Sequence, residues 1–209
     1  LKKILAGKHA GTVLSIMSED NILDVILHGT YRPKSRGIVS QLNPILTPYS
    51  VSPIARLSLL LVDSWNNNIT NDFNLIRLSN NEVRDFNRIF SSLGRLPNPK
   101  SKGELRMWRH YHDSKENEDE MLALEESLAT LLGAEKIALI ISIREELLAL
   151  LPLSAGNHSL VNGNWLMQRT GLAKGPRLGK LKSWLHTIQI ERDLSNLGEI
   201  ESVLCTLPW

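Results

Sequence analysis

The sequence holds a single cysteine, Cys205, in 209 residues. No disulfide can close within the chain, and no multi-cysteine zinc site can be built. Such usage fits a reducing compartment, so the expected location is intracellular, cytoplasmic or organellar. No apolar run approaches the ~18 residues that a membrane span needs, and no membrane partner is expected. The opening stretch LKKILAGKHAGTVL is no signal peptide, because Gly7, Lys8 and His9 interrupt its apolar run. Without a secretory signal, the glycosylation patterns at Asn68-Ile69-Thr70 and Asn157-His158-Ser159 read as chance. No glycine-rich loop ends in Gly-Lys-Ser/Thr, and no serine sits in a nucleophile-elbow pattern. RHYHD (109–113) offers His110, His112 and Asp113, but His9, His28, His158 and His186 sit in no ligand-spaced pattern with acids. Glu125-Glu126 and Glu145-Glu146 read as solvated helix faces. No catalytic residue and no metal ligand is therefore assigned. A metal phosphohydrolase on His110, His112 and Asp113 stays as an alternative.

Apolar residues make up 42% of the chain and charged residues 22%, the balance of a globular protein with a sizeable core. The apolar positions recur with helical spacing, and no segment alternates convincingly as a strand. The expectation is an all-α, irregular multi-helix array. Short helices fill 1–27. Ser52-Pro53 opens a buried helix through IARLSLLLV (54–62). NNNITND (66–72) is a loop. Ser79 and Glu82 form a capping box, as do Ser101 with Glu104 and Asn196 with Glu199. Residues 116–132 and 134–151 are strong helices, parted by Gly133 and closed by Pro152. LSAGNHS (153–159) reads as the clearest linker. Beyond it come helices near 162–170, 176–191 and 196–204. Nothing before Leu1 caps the first helix, so a piece of a longer protein is expected.

The net charge of +2 conceals an uneven distribution. Residues 95–112 carry five Lys/Arg against one acid, and 160–192 carry six against one. Between them, 113–126 carries seven acids and one lysine. Either each block is a solvated face or the surface has a directed field.

The stretch GLAKGPRLGKLKSW (171–184) combines three glycines, one proline and four basic residues. Gly171 suits a helix C-terminus, where a positive φ is wanted. Pro176 suits the first turn of the next helix, whose free N–H groups carry partial positive charge. Gly175 would let a phosphate oxygen approach the backbone, with Lys174, Arg177 and Lys180 adding charge. Basic residues there oppose the helix dipole, which favours an anion-binding role over a stabilising one. A tight turn between packed helices has the same proline and glycines, so that alternative stands beside it.

The segment LVNGNWLMQRTGLAKGPRLGKLKSWLHTIQIERDL (160–194) resembles the tail of class II tRNA nucleotidyltransferases, the CCA-adding enzymes, and of the related bacterial poly(A) polymerases. The matching positions are Gly163, Leu166, Gly171, Leu172, Gly175, Pro176, Leu178 and Gly179. Trp165 stands where the family usually has Asp, and Asn164 is then expected to cap that helix. Residues 1–27 resemble the end of the family's neck, IRLSNNEVRDF (76–86) its Leu-Ser-Asn-x-Glu helix start, and LRMWRHYHD (105–113) the following helix.

The resemblance implies the end of a neck at 1–28, a helical body at 29–152 and a tail with the Gly-Pro turn at 153–209. It implies an RNA-binding portion without the catalytic head, since neither the head's Gly-Ser loop and paired aspartates nor the Glu-Asp-x-x-Arg motif has a match here. The parent would use magnesium with CTP or ATP, whereas this portion would need no cofactor. The implied partner is tRNA or another structured RNA, its acceptor stem and elbow positioned for nucleotide addition at the 3′ end. Expected backbone contacts are Arg169, Lys174, Gly175, Arg177, Lys180 and Lys182, with Arg106 and Arg109 as a second set. Trp108 and Trp184 are expected to pack. The alternative is a helical interaction or dimerisation scaffold, and the features also accommodate a homo-oligomer.

Overall fold

A computed structural model describes residues 1–27, 45–46, 49–62, 77–132 and 134–207. The expected loop at 66–72, the Asn68 pattern, His28 and Gly133 lie outside the described residues. The protein is all-α. Its described helices are α1 (Lys2–Leu5), α2 (Ala10–Glu19), α3 (Ile22–Ile26), α4 (Pro53–Leu60), α5 (Asn80–Ser92), α6 (Lys102–His112), α7 (Lys115–Leu132), α8 (Ala134–Ala149), α9 (Gly163–Thr170), α10 (Pro176–Arg192) and α11 (Leu197–Cys205). One extended pairing joins them among the described residues. β1 (Ile45–Leu46) and β2 (Tyr49–Ser50) run antiparallel, with Ile45 opposite Ser50 and Leu46 opposite Tyr49. Two residues per strand are too few to leave an alternating pattern in the sequence.

The chain divides into two compact units. The first comprises Leu1–Leu96 and Lys115–Ile141, the second Pro97–Ser114 and Ser142–Trp209. In the first unit α4 is the centre. Ser52 Oγ accepts the Ala55 N–H at 3.1 Å and Pro53 fills the first helical position, which starts the helix cleanly. All residues from Ile54 to Leu60 are buried, so the helix is enclosed by α1, α5 and α7. Arg56 is buried with them, and its Nη1 donates to the Leu5 carbonyl at the end of α1. Helix α5 begins with the expected capping box. Ser79 Oγ accepts the Glu82 N–H at 3.3 Å, and Glu82 Oε2 accepts the Ser79 N–H at 2.7 Å.

The acidic run on α7 is not a solvated face throughout. Glu125 is only 2% exposed and accepts the Gly94 N–H, while Glu120 accepts the Ser52 N–H at 2.7 Å. Burial raises the Glu125 pKa above the usual carboxylate value, against the opposing pull of the Gly94 hydrogen bond and Lys136.

In the second unit α10 is the spine, packed against α6, α9 and α11. Val161, Leu166, Leu178, Leu185, Ile200 and Leu204 form one buried apolar cluster in it, with Trp165 and Met167 packed on the rim. Helix α6 comes so close to α10 that a Cβ at Gly103 would lie 3.1 Å from both Cγ and the carbonyl oxygen of Glu191. Arg106 clamps the same contact, with Nη2 3.0 Å from Asp193 Oδ2.

The stretch 153–159 is turn and bend as expected, and it lies inside the second unit. Four contacts stitch it and its neighbours to α10 and its C-cap. The Ser154 N–H donates to Asp193 Oδ1 at 2.8 Å, and His186 Nε2 lies 3.0 Å from the Asn157 carbonyl. Buried Gln189 donates to the His158 carbonyl and accepts the Leu160 N–H, each at 3.0 Å. A glycine- and serine-rich composition marks irregular backbone, but it does not reveal side-chain contacts made from 30 or so residues away.

Candidate nucleic-acid interface

The glycine-proline stretch folds as its residue types dictate. Gly171 ends α9 in the left-handed region, φ 69°, and its N–H donates to the Met167 carbonyl at 2.9 Å. Pro176 occupies the first position of α10. Gly175 is the N-cap and has no side chain, and no side-chain cap satisfies the first N–H groups of this 17-residue helix among the described residues. The cap of α9 differs from expectation. Asn162, not Asn164, is the N-cap, and its Oδ1 accepts the Trp165 N–H at 2.9 Å. A capping side chain reaches the N–H three residues on, and Gly163 rather than Trp165 is the first helical residue. The other two capping boxes are half-formed. Ser101 and Asn196 each cap their helix, while Glu104 accepts from Asn98 and Glu199 from Ser195 instead of closing the box.

Between α9 and the start of α10 lies an open cleft of about 310 Å³. Gly163, Asn164 and Met167 form one wall, Leu178, Gly179 and Lys182 the other, and Lys174 and Gly175 close the end. Glycine lines it three times, and packing does not account for this. A Cβ at Gly175 or Gly179 would meet nothing within 4 Å, and at Gly163 only Leu178 Cδ2 at 3.9 Å. Gly175 is in extended backbone, φ 168°, that any residue adopts. Gly179 lies within α10, where glycine costs roughly 0.5–1 kcal/mol relative to alanine. Gly103, by contrast, is required by the approach of α10.

The expected contact residues separate into three groups. Lys174, Gly175 and Lys182 converge on the cleft. Arg177 and Lys180 are exposed but point elsewhere, since Lys182 lies five residues from Arg177, roughly 140° around the helix. Among the described residues, none of the four basic side chains makes an ion pair or hydrogen bond within the chain. Arg169, Arg106 and Arg109 have internal partners. Arg169 pairs with Glu201 at 3.2 Å on the surface and lies over the Trp165 ring, 5.8 Å from its centroid. Arg106 holds Asp193, and Arg109 donates to the carbonyls of Leu147 and Leu150 at the end of α8. Such guanidinium forks satisfy helix-end carbonyls that would otherwise lack donors.

The RHYHD residues do not converge. His112 is fully buried with its ring 4.2 Å from Trp108, whereas His110 meets His186 edge-on at 5.4 Å. Burial, then His186, lowers the His110 pKa, and Asp113 opposes them. Among the described residues no three His, Cys, Asp or Glu side chains are grouped to hold a metal ion. Trp108 packs as expected, 9% exposed, whereas Trp184 is only partly covered and stands 40% exposed on α10. No known protein family, curated protein or solved structure matches the chain.

Proposed function

We propose that the second unit binds the sugar-phosphate backbone of a structured RNA, with a phosphate seated in the cleft between α9 and α10. The carrying observation is the glycine lining. Gly175 and Gly179 leave room that no part of the described chain fills, and Gly179 does so at a cost to its helix. A ligand pressed against the backbone accounts for that vacancy, and Lys174, Lys182 and the uncapped N–H groups of α10 supply the positive potential such a ligand needs. Phosphate contacts of this kind hold folded RNA without reading its sequence.

The RNA is proposed to be tRNA, on the resemblance of 160–194 to the tail of class II tRNA nucleotidyltransferases. On that reading the chain positions the acceptor stem and elbow while a catalytic head elsewhere adds nucleotides. Arg177 and Lys180 would add contacts on a second side of α10, and Arg169 would join only by exchanging Glu201 for a phosphate.

The test is tRNA affinity as a function of salt for the wild type and for Lys174→Ala/Lys182→Ala. The double variant should bind more weakly and lose about one unit of log–log slope per lysine. Identical affinity and slope would leave the cleft as a packing feature. A well-defined oligomer with no tRNA affinity would favour the scaffold alternative.

A further inference from the structure

We infer that Trp184 is a stacking platform for an unpaired RNA base, held in register by Arg177 and Lys180. The inference rests on the RNA-binding reading but on a different side of α10 from the cleft. Three, then four, residues separate Arg177, Lys180 and Trp184, so the three share one arc of roughly 60° on the helix surface. Each is exposed, Trp184 by 40%. Trp184 is not part of the cluster around Leu166 and Leu178, whereas Trp165 is packed on that cluster's rim. Among the described residues it has no ring contact, no cation over its face and no hydrogen bond.

A tryptophan so displayed leaves two-fifths of its surface open and, among the described residues, has no aromatic, cationic or hydrogen-bonding partner. What covers it follows from the charges beside it. Arg177 and Lys180 lie on the preceding two turns and pair with no acid among the described residues, so the occupant combines a flat apolar ring with nearby negative charge. An unpaired nucleotide has both. Its base stacks on the indole, and its flanking phosphates meet the guanidinium and ammonium groups. Duplex RNA hides its base faces in the stack, so this contact selects loops and bulges over stems. The cleft holds backbone wherever it runs, while Trp184 asks for an exposed base.

The test uses the full chain and two hairpin RNAs of identical length and phosphate count. One carries a normal loop, and in the other the loop nucleotides are abasic. Wild type should prefer the base-bearing loop. Trp184→Leu should weaken that binding about tenfold and leave abasic-loop binding unchanged. Trp184→Phe should retain most of the preference, and both variants should unfold at the wild-type temperature. Equal weakening on both RNAs, or no effect on either, overturns the stacking role. If wild type binds both RNAs without distinction and Lys174→Ala/Lys182→Ala still lowers the salt slope, stacking fails and the cleft reading stands. Binding of neither RNA overturns both.

Discussion

Arg106 and Lys174 are both cations in basic stretches of the chain, and they do different work. Arg106 is four-fifths buried and ion-paired to Asp193, which also accepts the Ser154 N–H. Lys174 is exposed at the end of the cleft with no internal partner among the described residues. Arg106→Ala should therefore lower the unfolding free energy by about 2 kcal/mol, through loss of a charge-assisted hydrogen bond and a carboxylate left half-paired. Its tRNA affinity should stay at the wild-type value under conditions where the variant is folded. Denaturant unfolding and a binding titration check the two halves, and weaker binding at unchanged stability would restore Arg106 to the interface.

Helix starts are settled locally, and this is the level at which the sequence was most legible. A serine, asparagine or proline at the right offset selects the first turn of α4, α5 and α9 to α11 wherever the helix then packs. Asn162 shows the limit, because two asparagines two residues apart leave the register open until the preceding backbone is seen. The start of α5 also carries a pH signature. Glu82 accepts hydrogen bonds from the Ser79 backbone and side chain and pairs with Lys2 at 2.9 Å. The Ser79 backbone bond foremost, then Lys2, lowers its pKa from 4.5 to about 2. A depressed carboxylate stabilises the fold fully above its unfolded value and loses that contribution as pH falls through its folded one. The charge-dependent stability advantage of wild type over Glu82→Gln should be constant well above pH 4.5, shrink as pH falls below it, and be lost as pH falls through about 2. Paired denaturation series across that range check it, and a pH-independent difference would contradict the assigned contacts.

Across the whole chain, side-chain fate depends on what packs from a distance, and there the residues gave less away. Of the basic stretch 95–112, Arg106 and Arg109 turn inward to the fold, whereas the four cations of 174–182 face solvent. Glu125 and Trp184 exchange the places that their types favour, the acid buried and the indole exposed. None of these outcomes is encoded within a few residues of the side chain concerned. The cleft was half legible. Its glycines and lysines stand out in one short stretch, but helical geometry sends Lys182 to the cleft and Arg177 away from it. Among the described residues no helix is long and apolar enough to cross a membrane. The central claim is that the glycine-lined cleft is kept open for an RNA phosphate, and Gly179→Ala tests it most directly. Alanine fits the helix without a clash, so unfolding free energy should rise by roughly 0.5–1 kcal/mol. If a phosphate occupies that space, tRNA affinity should fall roughly tenfold, the worth of one charge-assisted hydrogen bond. A variant that is more stable and binds tRNA as well as wild type would contradict the account.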